Sequence, residues 1–358
     1  MAEQADSLRR WVHAKADDVT SEVLAGRLRG PHVLAITSGK GGVGKSNLAL
    51  NLALALQIRG VATAVLDADL GLANINIILG QEPDYTVFDV MQGDRHLADV
   101  VVPGPHGLTI IPGASGLAEA AAANLDQVAT LLAEFQSLES QVEWLVVDTG
   151  AGIAPAVLAF VAAADEALVV TTPEPTALAD AYGLIRAVDE TDSPVRLHLV
   201  VNRAGDALRG QRTGERLAGL VAKALSRSVA VAGVVLEDAA VARAVVRQEP
   251  FYLGAPKSLA RQDVDRLADY LLDRVPAPRR GGIAGFVRRV LASVPIGRGD
   301  AAPPTGSLKN QEPGLPMANA YPSTGPAYAG EQGASIQGTA TGEDRAALRP
   351  RETEEGPR

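Results

Sequence analysis

"ITSGKGGVGKSNLALNLALAL", residues 36–56, joins a glycine-rich loop to an apolar stretch of helical length. Its central part fits the pattern G-x-x-x-x-G-K-[ST], in which glycines let backbone N–H groups converge on phosphate oxygens. In this pattern Lys45 reaches the β- and γ-phosphates and the Ser46 hydroxyl ligates Mg²⁺. We therefore predict a nucleotide site at this loop. Its predicted binding residues are Gly39, Lys40, Gly41, Gly42, Val43, Gly44, Lys45, Ser46 and Asn47.

Seven short apolar runs along the chain have the composition of strands. Most are continuous rather than alternating, as expected for strands that are covered on both faces. Helix-length stretches such as 46–60 and 125–140 separate most of them. This alternation predicts a doubly wound, mostly parallel sheet with helices on both faces, over residues 31–275. The runs are HVLAIT, ATAVLDA, LTIIPG, WLVVDT, EALVVTT, RLHLVVN and VAGVV.

Three carboxylates stand at or just after the ends of two of these strands. Asp67 and Asp69 follow "AVL", and Asp148 follows "WLVV". Strand-end carboxylates beside a phosphate loop suit a Mg²⁺-bound water and an attacking water. Local turn formation is the alternative for Asp67 and Asp69, whereas burying Asp148 without compensation would be costly. We predict that Ser46, Asp67 and Asp148 surround Mg²⁺.

The composition excludes several classes of function. The formal charge of −9 argues against broad nucleic-acid binding, which needs a basic surface. The sequence has no cysteine, so it can hold neither a disulfide nor an iron–sulfur cluster. The first residues are charged rather than apolar, and no apolar run is long enough to cross a bilayer. We expect a cytoplasmic protein.

Three segments differ from the predicted body. Residues 1–30 form a polar N-terminal segment, and residues 296–358, rich in Pro, Gly, Ala, Ser and Thr, are predicted to be disordered. Residues 279–294 read as a basic amphipathic helix with Arg288 and Arg289 off its apolar face. Such a helix suits reversible binding to an anionic membrane; permanent packing on the body is the alternative. The predicted lipid-facing residues are Ile283, Phe286, Val287, Val290 and Leu291.

The loop "SGKGGVGKS" resembles the deviant phosphate loop of the MinD/ParA family of ATPases, in which the additional lysine, Lys40 here, is the signature residue. The resemblance extends over residues 3–275. It implies a homodimer that forms with ATP and Mg²⁺, in which Lys40 reaches the phosphates bound to the opposite subunit. It further implies that Asp67 lies near the metal, that Asp69 orients the hydrolytic water, and that Asp148 is the second acid of the site.

Two later stretches resemble the base-binding elements of the same family. Asn202 and Arg203 follow the strand run "LHLVV", and Leu236, Glu237 and Asp238 follow "AGVV". The resemblance implies that the Asn202 amide pairs with adenine and that the second stretch forms the other wall of the base pocket. An ordinary strand-end turn is the alternative for Asn202.

Within this family, the missing cysteines exclude the nitrogenase iron-protein and cluster-scaffold branches, and a tail with only Tyr321 and Tyr328 disfavours bacterial tyrosine kinases. Residues 169–186, 240–251, "DTGAGI" and "EQADSLRRW" instead resemble the flagellar-number regulators of the FlhG/FleN type. That branch implies a signal-recognition-type GTPase, FlhF, as partner. It also implies a flagellar transcription regulator as a further partner and association with the inner face of the cytoplasmic membrane. The residues implied to contact the GTPase are Gln4, Ala5, Leu8 and Arg9.

Some alternatives remain open at this stage. Glu3 stands where that branch usually has aspartate, so a frayed helix that docks on the body is the other interpretation of the N-terminal segment. The same ATPase machinery would serve a positioner for cell division or DNA partition. A metabolic ATP-dependent ligase of the same fold, such as a dethiobiotin synthetase relative, is the third hypothesis.

Overall fold

The computed structural model describes residues 30–69, 74–113, 125–225, 227–274 and 277–293. All of these belong to the first of two compact units, Met1–Ala301. The predicted tail and the predicted GTPase contacts Gln4, Ala5, Leu8 and Arg9 lie outside the described residues. The strands are β1 His32–Ser38, β2 Thr63–Ala68, β3 Val102–Pro103, β4 Thr109–Ile111, β5 Trp144–Ala151, β6 Glu166–Thr171, β7 Arg196–Ala204 and β8 Ala230–Leu236.

Helices connect these strands, with one 3₁₀ turn at Pro105–Gly107. The helices of the described residues are α1 Lys45–Ile58, α2 Asn74–Leu79, α3 Val87–Gln92, α4 Leu97–Val100, α5 Leu125–Leu138, α6 Pro155–Ala163, α7 Pro175–Asp189, α8 Ala207–Ala224, α9 Ala239–Val246, α10 Phe251–Gly254, α11 Leu259–Asp273 and α12 Gly282–Ser293. No helix among them is both long and apolar enough to cross a bilayer.

The strands form one sheet in the order β3-β4-β2-β5-β1-β6-β7-β8. All neighbours are parallel except β3 and β4, so the predicted doubly wound fold is confirmed. All seven predicted strands are present. The eighth, β3, is two residues long and contains Pro103, so its sequence carries no strand pattern. It exists because the turn at residues 104–108 folds it back onto β4.

Two aliphatic cores cover the two faces of the sheet. One contains residues of α1, α2, α10 and α11, and the other contains residues of α5, α6, α7 and α12. Helix α1 is buried along nearly its whole length, from Leu48 to Leu56. A helix that is apolar all round is stable only when it is covered on all sides. It lies between the sheet and α11, and its first turn carries the phosphate loop.

The last described segment, residues 277–293, crosses the amino ends of the strands and is called the C-terminal strap. Its helix α12 packs against α5, α6 and β1. The Phe286 ring lies 6.1 Å from the Phe160 ring, centroid to centroid. The five predicted lipid-facing side chains, Ile283, Phe286, Val287, Val290 and Leu291, are all buried. In this structure, therefore, they lie in the core, and the exposed apolar stripe needed for lipid contact is absent from the described strap.

The arginines of the strap also face inward. Arg280 Nη1 donates to the carbonyls of Ala162 and Ala164, and Arg289 Nε and Nη2 donate to the carbonyl of Ala163. These carbonyls end α6, where helices have unsatisfied acceptors and where cations are stabilised by the helix dipole. The expectation that the basic residues face anionic lipid is thus not met in this conformation, because they cap a helix of the body.

Buried and half-buried carboxylates hold the strap in place. Asp165 Oδ1 accepts from the Arg280 N–H at 2.8 Å, and Glu139 Oε1 accepts from the Ala284 N–H at 2.8 Å. Glu166, at the start of β6, accepts from Arg274 Nη1 at 2.8 Å and from the Ala277 N–H at 2.6 Å. His32 and His198 flank Glu166. We call His32, Asp165, Glu166 and His198 the basal cluster.

Candidate nucleotide-binding site

The phosphate loop connects β1 to α1, and glycine is required at its different positions for different physical reasons. Gly42 and Gly44 have positive φ, 78° and 89°, a region that disfavours other residues. A Cβ at Gly39 would overlap the backbone of Asp180 in α7, so this glycine lets the loop rest on a helix. The sequence pattern ascribed Gly39 to phosphate approach alone. The structure adds a packing requirement that no local sequence signal carries.

Lys45 is buried and paired inside the chain. Its Nζ lies 2.7 Å from Asp148 Oδ1 and 3.9 Å from Asp69 Oδ2. Burial raises the pKa of Asp148, and the charge of Lys45 opposes this shift, as does a hydrogen bond with Ser46. The structure thus brings four predicted site residues together at the carboxyl ends of β2 and β5.

Asp67 shapes the loop that follows β2. Its Oδ1 accepts from the Asp69 N–H at 3.2 Å and its Oδ2 accepts from the Ile75 N–H at 3.0 Å. Burial, followed by the charge of Asp148, raises the pKa of Asp67 to about 6. Asn74 Nδ2 donates to Asp69 Oδ2 at 3.1 Å. Both aspartates therefore hold the start of α2 close to the phosphate loop.

The donor set fits a hard divalent cation that is held partly by phosphate. Asp148 Oδ2 is buried and has no hydrogen-bond partner, and the Ser46 hydroxyl lies within hydrogen-bond reach of Asp148. The described residues contain no cluster of three His, Cys, Asp or Glu side chains that would hold a metal ion. Mg²⁺ needs no such cluster, since it takes one or two carboxylates together with water and phosphate oxygens.

Lys40 lies apart from these groups. Its Nζ is 3.0 Å from Glu174 Oε2 and 3.0 Å from Thr176 Oγ1, at the start of α7. Both charged side chains of this pair are substantially exposed, at 39% and 59%. The two lysines of the loop thus have opposite surroundings: Lys45 is buried among acids of the site, and Lys40 is held at the surface.

A cavity of about 220 Å³ adjoins the loop on the side of β7 and β8. It is lined by the predicted Gly44, Asn47, Asn202, Arg203, Leu236, Glu237 and Asp238, and also by Leu48, Val235, Val241, Ala242 and Phe251. The last five were not predicted. Their only sequence signal is apolar character, which core residues share. Together they give the cavity an apolar lining suited to a nucleobase.

Two of the predicted base-binding side chains have structural partners. Asn202 Nδ2 donates to the Val43 carbonyl at 2.7 Å, which ties β7 to the phosphate loop. Asp238 Oδ1 accepts from the Ala240 N–H at 2.8 Å and its Oδ2 accepts from the Leu259 N–H at 2.9 Å. These bonds lower the pKa of Asp238 and make it the N-cap of α9. Its carboxylate thus holds the cavity wall in place.

The loop after β5 also contacts the phosphate loop. The Gly152 N–H donates to the Ser38 carbonyl at 2.8 Å, and Gly152 has a φ of 92°. Ile153, next in the chain, is exposed. This loop leads directly into α6, whose far end is capped by the C-terminal strap.

Comparisons with known proteins agree with this geometry. Residues 30–271 match a family described as ParA, NUBPL iron-transfer P-loop NTPase. The absence of cysteine from the sequence leaves this chain no thiolate ligand for iron. The chain is 37% identical over 267 residues to the antiactivator FleN of Pseudomonas aeruginosa, covering 74% of this chain and 95% of that protein.

Two further similarities extend over most of the chain. The flagellum site-determining protein YlxH of Helicobacter pylori is 33% identical over 267 residues, covering 72% of this chain and 89% of that protein. The MinD chain of a MinC:MinD cell division protein complex from Aquifex aeolicus superposes with a TM-score of 0.56 at 27% identity, covering 69% and 99% of the two chains. The chain therefore belongs to the ParA/MinD family of P-loop ATPases.

Proposed function

We propose that this chain is an ATP-dependent dimerising switch that regulates flagellar number or placement. The observation that carries the proposal is the contrast between the two loop lysines. Lys45 lies beside Asp148 in the site of its own chain. Lys40 is held 3.0 Å from Glu174, away from the buried acids. Lys40 can therefore move to the nucleotide of a second copy, while Lys45 remains in the phosphate site of its own chain.

In this proposal the phosphates of ATP displace Asp148 from Lys45, and the backbone of the phosphate loop binds them. Ser46, Asp67 and Asp148 would hold Mg²⁺, and the ion would supply positive charge that offsets the charge developing on the transferred phosphoryl group. Asp69 orients the attacking water. Lys40 leaves Glu174 and Thr176 and stabilises the same charge from the opposite subunit.

The flagellar output rests on the relatives. The protein of Pseudomonas aeruginosa is named an antiactivator and that of Helicobacter pylori a flagellum site-determining protein. We accordingly propose a flagellar transcription regulator and an FlhF-type GTPase as partners, the latter at Gln4, Ala5, Leu8 and Arg9. Action at the inner face of the cytoplasmic membrane is part of the proposal and requires the C-terminal strap to leave the body.

A Lys40→Ala variant tests the mechanism. We expect it to bind ATP with the affinity of the parent and to lose hydrolysis, because Lys40 does not contact the nucleotide of its own chain. Lys223→Ala, an exposed lysine on α8, is the matched control and should hydrolyse ATP normally. Unchanged turnover in Lys40→Ala would remove the role in trans.

An Asp69→Ala variant tests dimerisation directly. Without the residue that orients water, the ATP-bound dimer should persist and sediment as two subunits at saturating Mg·ATP. A single-subunit particle with a filled site would overturn the switch. Flagellar counts in a deletion strain test the output: altered septum or DNA placement with normal flagella would instead favour a positioner of cell division or partition.

A further inference from the structure

Ser38, the last residue of β1, stands directly before the phosphate loop, and its side chain is buried. Its Oγ donates to the Lys40 carbonyl at 2.9 Å. Its own carbonyl accepts from the Gly152 N–H at 2.8 Å. One residue therefore connects the backbone of Lys40 to the loop that follows β5.

The pairing of β1 with β5 is irregular at this point. Ile36 pairs with Asp148 and Ser38 pairs with Ala151, so β5 carries one more residue than β1 between these pairs. Such a bulge bends a strand, and bulges are common next to active sites. Here it brings the loop after β5 to the end of β1, within hydrogen-bond distance of the Ser38 carbonyl.

Glycine stands on both sides of Lys40, so the neighbouring residues restrict its backbone little. Gly39 is fixed by packing, since a Cβ there would overlap the backbone of Asp180. A Cβ at Gly41, in contrast, would meet no atom of the described residues within 4 Å. The bond from Ser38 therefore fixes the direction of the Lys40 carbonyl, and with it the ψ angle of Lys40.

Lys40 is thus held at both ends. Its carbonyl is bonded to the buried Ser38, and its Nζ lies 3.0 Å from both Glu174 Oε2 and Thr176 Oγ1 at the surface. When Nζ leaves these two partners for a second copy, the bond at the carbonyl is the one that remains. A buried hydroxyl needs an acceptor in any protein, so a purely structural role is the alternative that the experiment must separate.

We propose that Ser38 is a positioning residue for Lys40: its hydroxyl holds the Lys40 backbone in the orientation from which the side chain reaches the nucleotide of a second copy. This inference rests on the proposed function, since it concerns the same lysine. Stabilisation by a fixed charge depends on the place of that charge, and a displacement of about 1 Å is enough to lose much of it.

Ser38→Ala tests this role. Its affinity for Mg·ATP, measured by titration calorimetry, should stay within about two-fold of the parent, because Lys45 and the N–H groups of the phosphate loop are unchanged. The kcat at saturating ATP and protein should fall about ten-fold, the effect of one hydrogen bond on a transition state. Ser38→Thr keeps the hydroxyl and should restore kcat to within about three-fold of the parent.

Ser193→Ala is the matched control. Ser193 Oγ donates to the Ala162 carbonyl at 2.7 Å, so this variant loses a bond of the same type ahead of β7, at the opposite end of the sheet. The thermal midpoints of the two alanine variants should fall by similar amounts. Ser193→Ala should nevertheless keep the kcat of the parent, since its hydroxyl has no contact with the phosphate loop.

A double variant shows whether Ser38 acts through Lys40. In a Lys40→Ala background, Ser38→Ala should leave the residual turnover unchanged, because the residue that it positions is already absent. A further loss in the double variant would overturn the proposal, since the hydroxyl would then act on the site of its own chain.

Other results would overturn the proposal while leaving the switch intact. One is a kcat of Ser38→Ala equal to that of the parent, and another is a loss of ATP affinity as large as the loss of kcat. A third is a Ser38→Thr variant that has the thermal midpoint of the parent but the kcat of Ser38→Ala. Full turnover in Lys40→Ala itself would instead overturn the proposed function, and this inference with it.

Discussion

Asp67 and Asp148 are buried at the carboxyl ends of the strands, and Asp165 and Glu166 are buried at the amino ends. The two ends satisfy their acids differently. Glu166 accepts hydrogen bonds from Arg274 and from the Ala277 N–H, and Asp165 accepts hydrogen bonds from backbone N–H groups. Glu166 Oε2 lacks a hydrogen-bond partner but forms an ion pair with Arg274. Asp148, in contrast, has its one ion pair with Lys45 at Oδ1, and its Oδ2 has no hydrogen-bond partner.

The difference shows how the partners of a buried carboxylate distinguish a structural role from a binding role. A buried carboxylate is costly unless hydrogen bonds or a counter-charge compensate it. At the amino ends the compensation comes from the strap, from Arg274 and from the Val33 N–H, and is part of the fold. At the carboxyl ends the compensation of Asp148 is incomplete. This carboxylate and its lysine therefore remain suited to bind a cation and a phosphate. The following predictions test this contrast, from the largest effect to the smallest.

Glu166→Ala should be the most damaging change. It leaves the Arg274 guanidinium buried without its anion, so the free energy of unfolding in urea should fall by about 3–5 kcal/mol. Glu166→Gln should fall between this variant and the parent. Glu190→Ala, which breaks an exposed pair with Arg186, is the control and should cost about 0.5 kcal/mol or less. Equal losses of stability in Glu166→Ala and Glu190→Ala would contradict the role of Glu166 in anchoring the amino ends of the strands.

Asp67→Asn should have the opposite effect on stability. A pKa raised to about 6 means that the folded protein holds this proton more tightly than the unfolded chain. That stabilisation is complete below the unfolded pKa and is lost as pH rises through about 6. Asparagine carries no charge, but its NH₂ group cannot accept one of the two backbone N–H bonds. At pH 8 the nucleotide-free variant should therefore match or exceed the parent by up to about 1 kcal/mol.

The same variant should lose hydrolysis by on the order of 100-fold, because Asp67 supports the proposed metal site. Urea unfolding and phosphate release measure the two effects in one preparation. A variant that is both less stable and fully active would reverse the contrast between the two ends of the sheet.

His198→Gln should flatten the acid side of the stability profile. Burial, followed by the charge of Arg196, lowers the pKa of His198 to about 4. The unfolded chain therefore takes up a proton that the folded chain refuses, so stability is lost as pH falls from the unfolded pKa toward 4. Between pH 7 and pH 5 this residue should account for about 2 kcal/mol. Parallel urea profiles for parent and variant at both pH values would contradict this.

Glu174→Ala should produce the smallest change in stability, within about 0.5 kcal/mol, because its pair with Lys40 is exposed. Its effect should appear in assembly. Without Glu174, Lys40 has to leave only the Thr176 hydroxyl and no longer a carboxylate, so ATP hydrolysis should reach half its maximum at about two- to five-fold lower protein concentration. An unchanged concentration dependence would show that this contact does not oppose dimerisation.

Much of the fold was predictable because buried parallel strands leave a direct record in the sequence. Runs such as "WLVV", residues 144–147, are apolar at every position, and the phosphate loop identifies the strand and helix beside it. The two-residue strand β3 left no such record, because its pairing depends on a turn and not on its own residues.

The site was predictable where chemistry dictates the residue and unpredictable where packing does. Lys45, Asp67, Asp69 and Asp148 lie together as expected, since phosphate and metal chemistry demands these types. The apolar lining made by Val235, Val241 and Phe251 could not be distinguished from core. The capping role of the Asp238 carboxylate depends on Leu259, which is distant in sequence.

The position of the strap was not predictable from its own pattern. An apolar face with arginines beside it fits a membrane surface and a protein groove equally well. The choice depends on the acceptors at the end of α6 and on acids far away in the sequence, such as the half-buried Glu139.

The anchoring of the strap has a practical consequence for work with this protein. A shortened chain that ends at residue 274 would remove Phe286 from Phe160 and leave Asp165 without the Arg280 N–H. We expect such a truncation to aggregate on expression. If a strain that carries this truncation lost flagellar control, the cause would be an insoluble product. Point substitutions in the full chain are therefore the safer means of removing the effect of this segment.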